Sequence, residues 1–327
     1  MFNASFFTRV ELSKSRVLVN YNSAVLMIGS CFAQCIGEKL SQSKFQVKVN
    51  PNGIIYNPIS IANVLKRVLV NKPYTENDLF CFNNRWLSFH HHGSYAARDV
   101  TSCCEKMNHS LAEAHRYLKS SKVIYVTFGS AWVYEHSAFG VVANCHKLPQ
   151  KEFKKRLLSV KEVIAAYQEL IDILRKKYPT IEMVFTVSPV RHIKDGLHEN
   201  NLSKSVLHLA VKHLVEQYNC CHYFPAYEIV VDELRDYRFF NRDLVHPNDF
   251  AIDYVWDKFK EVYCDERTKT LINKVDKIRQ AVAHRPFDYN SEGHQQFINS
   301  QLDAMDELIK KHPFLDFTRE KEQIQSY

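Results

Sequence analysis

The 327-residue sequence predicts an α/β fold in which helices flank a parallel, doubly wound sheet. Short apolar or β-branched runs alternate with longer segments that carry apolar residues at helical spacing. The first apolar run ends in Gly29 and Ser30, which suit a tight turn into a helix. From Asp265 onward the sequence predicts helices only. We therefore expect an α/β domain over residues 1–264 and a helical C-terminal extension over 265–327, packed on the core.

The elements are predicted in order from these patterns. Val25-Leu-Met-Ile28 reads as a buried strand, and a helix runs from Cys31 to about Leu40. The long irregular stretch 71–101 is expected to line or cover a site. The other predicted strands are Phe45–Val49, Lys122–Phe128, Ile181–Val187 and His222–Phe224, and the other helices are 57–70, 104–119, 158–177, 203–218, 249–262, 267–284 and 293–312.

Composition narrows the functional class. A hydrophobic fraction of 46% and an aromatic fraction of 13% are typical of a globular protein. The formal net charge of +7 is spread along the chain. Its densest basic cluster, Lys151–Arg156, is predicted to open an amphipathic helix whose charged face is solvated, which we prefer to a nucleic-acid site. We expect no nucleic-acid partner.

The predicted location is cytoplasmic. No apolar run approaches the ~18–20 residues needed to cross a bilayer, so we expect no membrane partner. The first residues show no signal-peptide pattern. Nine scattered cysteines form no disulfide framework and no metal-binding spacing, which favours a reducing compartment.

Ser30 is the first candidate for chemistry. A small hydroxyl residue between a buried strand and a helix lies at the carboxyl edge of an α/β sheet, where such folds bind ligands. Its backbone N–H is expected to face the same cleft, and a helix start favours developing negative charge. These properties suit a nucleophile. The alternative interpretation is that Ser30 only caps the helix.

Asp243 and His246 form the second candidate group. At this spacing within one loop, the carboxylate can orient the imidazole Nδ1–H while Nε2 faces the cleft. The alternative is an ordinary helix entry. Arg191 and His192 end the fourth predicted strand at the same edge, where they either grip an anionic or sugar substrate or cap the loop.

Two other features favour structural interpretations. Adjacent residues in the run His90-His-His92 point in alternating directions, and no carboxylate or cysteine beside them has a familiar ligand spacing. We therefore predict no metal site. Cys31 is expected to turn away from the cleft if Ser30 faces it.

His146 fits a role in the site and a role in the scaffold equally well.

Taken together, the ordered motifs resemble the GSCFA family of the SGNH/GDSL hydrolase superfamily. The resemblance rests on Gly-Ser-Cys-Phe-Ala (29–33), Asn52-Gly53, Asn144-Cys-His146 and Asp243-x-x-His246. It extends through Ser188–His192, the Ser203-Lys204 region and 227–238, and it covers essentially residues 5–315.

The resemblance implies a flavodoxin-like SGNH hydrolase fold and a catalytic triad. Ser30 would be the nucleophile, His246 the general base and Asp243 its orienter. The oxyanion hole would comprise the Ser30 and Gly53 N–H groups and an asparagine side chain. The usual asparagine after the third strand is replaced within Gly129-Ser-Ala-Trp132, so Asn144 is the nearest candidate.

The predicted function is that of a serine esterase or deacylase that needs no metal and no organic cofactor. Its substrate is expected to be a small molecule or carbohydrate that carries an ester, such as a small acyl group on a polar alcohol. Catalysis would run through Ser30, His246 and Asp243, with Gly53, Gly129, Asn144, His146, Arg191 and His192 as oxyanion or substrate-binding residues. An O-acyltransferase using the same triad and a noncatalytic carbohydrate-binding or scaffold protein are the alternatives.

Overall fold

The computed structural model describes residues 8–284 and 291–325. Residues 1–7, 285–290 and 326–327 lie outside the described part. In chain order the strands are β1 (Ala24–Gly29), β2 (Val47–Val49), β3 (Phe80–Phe82), β4 (Arg85–Leu87), β5 (Ser121–Phe128), β6 (Trp132–His136), β7 (Gly140–Val142), β8 (Phe153–Leu157), β9 (Glu182–Val187) and β10 (Cys221–Tyr223).

Most of the predicted helices are present. The helices are α1 (Cys31–Gln42), α2 (Pro58–Val70), α3 (Val100–Ser120), α4 (Val160–Lys177), α5 (Leu197–Gln217), α6 (Ala226–Glu228), α7 (Asp249–Tyr263), α8 (Glu266–Ala283), α9 (Glu292–Lys311) and α10 (Thr318–Gln325). A π-helical stretch, Ile229–Leu234, continues α6. Among the described residues, no helix has both the length and the apolar composition required to cross a bilayer.

A five-stranded parallel sheet forms the centre of the molecule, as predicted. Its strands lie in the order β10-β9-β5-β1-β2, and every neighbouring pair is parallel. Numbered by their order along the chain, the five strands read 2-1-3-4-5, which is the flavodoxin-like arrangement. The direction of winding reverses between β1 and β5. A ligand crevice is expected outside the carboxyl ends of these two strands.

Helices cover both faces of the sheet. Successive residues of β1 point to opposite faces, so Leu26 and Ile28 join one hydrophobic cluster while Val25 and Met27 join the other. Helices α2 to α5 bury the first cluster, and α1, α7 and the C-terminal helices bury the second. Burial on both faces explains why β1 reads as an unbroken apolar run. The division into units at 264/265 stays a prediction.

The segment between β5 and α4 differs from its prediction. The predicted helix at Lys151–Arg156 is wrong: Phe153–Leu157 is the strand β8. It pairs with β6, which pairs in turn with β7 on its other side, so the three form an antiparallel sheet that the sequence did not predict. Arg156 instead forms ion pairs with Glu135 and Glu162. The pair with Glu135 crosses from β8 to β6, and the pair with Glu162 connects β8 to α4. Both neutralise charge on a strand that is polar by composition.

Smaller corrections concern three other regions. The stretch predicted as irregular, 71–101, contains the antiparallel pair β3–β4. Helix α5 begins at Leu197, six residues before the predicted start at Ser203. Helix α10 was not predicted at all. Short strands and helix ends depend on contacts with residues distant in sequence. Hydrophobic periodicity is a local signal and cannot predict such contacts.

Candidate active site

Ser30 lies in the turn from β1 into α1. Its Oγ accepts a hydrogen bond from Phe32 N–H at 3.3 Å, so the residue caps α1. Ser30 is only 1% exposed, yet it lines a cleft of about 390 Å³ at the carboxyl edge of the sheet. The capping interpretation and the site interpretation are therefore compatible, because the capping oxygen also borders the cleft.

The turn requires glycine immediately before Ser30. Gly29 has φ +142°, and a β-carbon at this position would lie 2.1 Å from the carbonyl oxygen of Thr127 on β5. Any other residue would push β1 and β5 apart at the point where the sheet reverses its winding. Gly29 thus places Ser30 in the crevice between the two strands.

His246 and Asp243 form a hydrogen-bonded pair in the loop before α7. His246 Nδ1 lies 2.7 Å from Asp243 Oδ2, and the other carboxylate oxygen accepts from the N–H groups of Val245 and His246. These hydrogen bonds lower the pKa of Asp243 to about 2. The carboxylate is therefore ionised at neutral pH, which suits stabilisation of an imidazolium. His246 lines the cleft, and Asp243 lies behind it.

Ser30 and His246 share the cleft but are not hydrogen-bonded to each other in the described structure. The Ser30 side chain engages Phe32 N–H, and the His246 side chain is about half exposed. Catalytic hydrogen bonds are often long in ligand-free enzymes and tighten when substrate binds. The loop that carries His246 is tied to the end of the neighbouring strand by Arg191 N–H, which donates to Val245 O.

The other predicted site residues divide into two groups. Gly129, Asn144, Arg191 and His192 line the cleft. Gly53 and His146 are not among its lining residues.

Both residues outside the lining have scaffold contacts. Gly53 N–H donates to Asn50 O at 2.7 Å, and its α-carbon packs against His92. His146 Nε2 lies 2.8 Å from Ser88 O, and burial lowers the pKa of its imidazole. The structure therefore gives Gly53 and His146 positions in the wall behind the cleft.

The backbone N–H groups at the strand ends beside the cleft are engaged within the fold. Ser30 N–H donates to Thr127 O at 3.1 Å. The N–H groups of Gly129 and Ser130 both donate to Tyr56 O, at 2.8 and 3.0 Å. In this state of the molecule they hold the strand ends and the neighbouring loop together.

Asn144 has the amide that is best placed to act on a ligand. Its Oδ1 accepts from His146 N–H at 2.8 Å, which orients the side-chain amide. Its Nδ2 group makes no hydrogen bond among the described residues, and Asn144 lines the cleft. Asn144 thus offers a free N–H donor on the same cleft as Ser30.

Cys31 also lines the cleft, which corrects the expectation that it would turn away from it. As the first residue of α1, Cys31 stays at the cleft edge beside Ser30. Burial raises the pKa of its thiol, so the reactive thiolate is disfavoured. Its presence in the cleft does not make it a strong candidate nucleophile.

Lys204 is the main feature of the site to which sequence reasoning assigned no role. This side chain on α5 is 2% exposed, and its Nζ donates to Gly129 O at 2.7 Å and Ser188 O at 2.6 Å. These carbonyls follow β5 and β9, so one ammonium joins two strand ends below the cleft. No carboxylate pairs with Lys204 among the described residues, and burial lowers its pKa to about 7. Its helical spacing from the apolar Leu207 and Val211 was the available signal.

Aromatic side chains form part of the cleft wall. Trp132 and Tyr134 come from β6, within the antiparallel sheet that the sequence did not predict, and Tyr56 comes from the loop before α2. Tyr56 packs directly on Gly129, where a β-carbon would lie 2.9 Å from its ring. The cleft therefore combines a polar floor with aromatic sides.

Other candidate sites lack comparable chemistry. A more open groove of about 620 Å³ lies at the amino ends of the strands, beside Arg16, Arg175 and Cys220, and contains none of the predicted site residues. In the His90–His92 run, His91 is buried against the Asn52 side chain. Within residues 8–284 and 291–325, no group of three or more His, Cys, Asp or Glu side chains is arranged to hold a metal ion.

Comparisons with known proteins give a family match. The family model "GSCFA family" matches residues 24–259, and "GSCFA domain protein, C-terminal domain" matches residues 275–327. No curated protein matches the chain.

Solved structures show only distant similarity. A carbohydrate esterase family 3 from Talaromyces cellulolyticus is 9% identical with a TM-score of 0.36, covering 78% of this chain and 99% of that chain. An acetyl xylan esterase from the rumen bacterium Butyrivibrio proteoclasticus is 11% identical with a TM-score of 0.35, covering 75% and 64%. An acetyl esterase mutant with bound acetate is 8% identical with a TM-score of 0.35, covering 78% and 99%.

Proposed function

The chain belongs to the GSCFA family, and we propose that it is a serine hydrolase that cleaves an ester through Ser30, His246 and Asp243. The observation that carries this proposal is that Ser30 and the Asp243-oriented His246 line one cleft at the carboxyl edge of the sheet. A nucleophile and a base held by a third group constitute the arrangement that acyl transfer requires.

The reaction follows from these positions. Ser30 Oγ attacks the acyl carbon as His246 Nε2 accepts its proton, and Asp243 stabilises the resulting imidazolium. The tetrahedral intermediate collapses to an acyl-serine, and His246 returns the proton to the departing alcohol. Water then attacks the acyl-serine with His246 again as base, which releases the carboxylic acid and restores Ser30.

Asn144 supplies the hydrogen-bond donor for the oxyanion in this proposal. Its Nδ2 is free while the nearby backbone N–H groups are engaged. The partial positive charge at the start of α1 adds to the stabilisation, because it lies beside the same oxygen. The substrate class is an ester of a polar alcohol. A small acyl group on a carbohydrate fits a cleft of this size that has aromatic sides and polar ends.

Two alternatives use the same cleft. An O-acyltransferase would form the same acyl-serine and pass the acyl group to an alcohol instead of water. A noncatalytic carbohydrate-binding or scaffold protein is favoured by one observation: the Ser30 and Gly129 N–H groups both donate to backbone carbonyls. The test below separates that alternative from catalysis.

The function is tested with a short-chain aryl acetate and a fluorophosphonate probe. We expect the wild type and Cys31→Ala to hydrolyse the ester and to become labelled, with the added mass on the peptide that contains Ser30. Ser30→Ala is expected to do neither. If the wild type shows no turnover and no labelling, catalysis through Ser30 is excluded and the binding protein is the better proposal. Added alcohol, with product analysis, distinguishes transfer from hydrolysis.

Asn144→Ala tests the oxyanion assignment. Removing one oxyanion donor typically lowers kcat by about 10²–10³-fold, and we expect a loss in this range with little change in KM. The donor acts on charge that develops only in the transition state, so binding of the ground-state ester is spared. Steady-state kinetics measure both constants. A rise in KM with an unchanged kcat would show that Asn144 binds substrate without stabilising the oxyanion.

A further inference from the structure

The part of the cleft around Ser30 that the structure describes is lined by basic residues but by no acidic ones. None of the described residues that line it is an aspartate or a glutamate. Its lining includes three basic residues, Arg191, His192 and His246. Carboxylates on a cleft wall would repel an anionic ligand, and this lining presents no such barrier. The lining therefore favours a substrate with a negatively charged group.

Arg191 is held in place without a carboxylate partner. Its guanidinium lies 4.8 Å from the ring centre of Phe240 and 5.2 Å from that of Tyr237. One nitrogen, Nη1, donates to Tyr237 Oη at 3.2 Å, and the backbone N–H donates to Val245 O at 3.4 Å. The aromatic faces and the hydrogen bond to Tyr237 hold the side chain, while the backbone hydrogen bond holds the main chain. Most of the five N–H donors of the guanidinium are left available.

Two other arginines of this chain show the contrast. Arg67 makes paired hydrogen bonds to both oxygens of Asp78, and Arg156 forms ion pairs with Glu135 and Glu162. In the described structure Arg191 makes no ion pair, although it is partly buried.

The acidic groups near this wall are engaged elsewhere. Asp195 is paired with Lys155 and lies 3.5 Å from His192 Nδ1. Asp243 is held by His246, and Asp236 by Arg238. The charge of Arg191 is thus left for a ligand.

We propose that the substrate ester carries a carboxylate or phosphate group on its alcohol portion and that Arg191 binds this group while Ser30 attacks the ester. The proposal rests on the serine hydrolase function above and specifies its substrate class. A planar guanidinium binds carboxylate and phosphate oxygens through paired N–H donors, and a side chain fixed before binding loses little entropy. Tyr56, Trp132 and Tyr134 provide the apolar surface against which the remainder of the alcohol lies.

The proposal is tested by substrate pairs that differ in charge. The first pair is an acetate ester of a methyl glucuronoside and its uronate methyl ester, which is similar in shape but neutral. The second is an acetylated sugar phosphate and the same sugar without phosphate. We expect the wild type to prefer the charged member of at least one pair by tenfold or more in kcat/KM, and the preferred pair distinguishes a carboxylate from a phosphate. This preference should weaken as ionic strength rises.

Arg191→Gln is expected to reduce the charged-to-neutral ratio by about tenfold to a hundredfold, which is the range of a charge-assisted hydrogen bond. Arg116→Gln is the matched control. It removes the same charge from an exposed residue on α3, outside the cleft lining, so the ratio should remain that of the wild type. Equal kcat/KM values for both members of both pairs, or an Arg191→Gln variant that keeps the wild-type preference, would overturn the proposal.

A binding measurement separates this proposal from the serine hydrolase assignment. Calorimetry compares the free uronate or sugar phosphate with its neutral counterpart on the wild type and on Arg191→Gln. If no ester is hydrolysed but the anion binds in an Arg191-dependent manner, the hydrolase assignment fails and the anion site stands. If aryl acetate is hydrolysed but the anion neither binds nor improves kcat/KM, the anion site fails and the hydrolase assignment stands.

Discussion

Ser30→Ala and His246→Ala are each expected to lower kcat for aryl acetate hydrolysis by about 10⁴-fold or more. The double variant is expected to keep a kcat similar to that of the less active single variant. In the proposed mechanism the two side chains act in one step, since the serine is a poor nucleophile without its base and the base has no proton to accept without the serine. Their contributions to transition-state stabilisation are therefore far from additive.

The measurement is kcat for the wild type, both single variants and the double variant on one substrate preparation. Thermal unfolding serves as the control, because Ser30→Ala removes the N-cap hydrogen bond to Phe32 N–H. Loss of such a cap costs about 1 kcal/mol of stability, too little to unfold a domain of this size. If the effects of Ser30→Ala and His246→Ala multiply in the double variant, the residues act independently and the proposed triad is wrong.

Local sequence patterns predicted much of the fold. The five sheet strands were predicted close to their observed positions. The central strands β1, β5 and β9 are largely buried and read as apolar or β-branched runs, whereas the edge strand β2 is partly exposed and alternates apolar and polar residues. Strand β8 was not predicted, since Phe153-Lys-Lys-Arg-Leu157 has charges on alternate and adjacent positions. Its conformation is decided by pairing with β6, which lies about twenty residues earlier in the chain. Contacts of this kind leave no periodic signal in a single strand.

The candidate site shows the same difference between residues positioned by their local sequence and residues positioned by distant packing. Ser30 is positioned by its own strand and helix, and His246 by a carboxylate three residues away, so short motifs were enough to select them. Gly53 is directed away from the cleft by packing against His92, about forty residues later. Lys204 reaches the carbonyls of Gly129 and Ser188, below the cleft, only because α5 packs against the ends of β5 and β9. Side-chain direction set by distant packing could not be read from these motifs.

Lys204→Met is expected to alter the pH dependence of stability in a direction fixed by burial. Burial lowers the pKa of Lys204 in the folded protein to about 7, from an ordinary value of 10.5. Between these two values the unfolded chain binds more protons at this site than the folded protein does. The free energy of unfolding of the wild type, relative to the variant, should therefore rise with pH across this window, with a slope approaching about 1.4 kcal/mol per pH unit.

Urea denaturation of both proteins at pH 7, 8 and 9 measures this difference, and subtraction removes the titration of groups that the two proteins share. Lys212→Met is the matched control, because Lys212 lies on the same helix with its side chain 70% exposed. It should show almost no slope. Below pH 7 the wild type bears the full cost of a buried ammonium, whereas the variant leaves Gly129 O and Ser188 O without their donor. A pH-independent difference between wild type and Lys204→Met would mean that the ammonium remains protonated throughout, with its charge held below the cleft at every pH of the measurement.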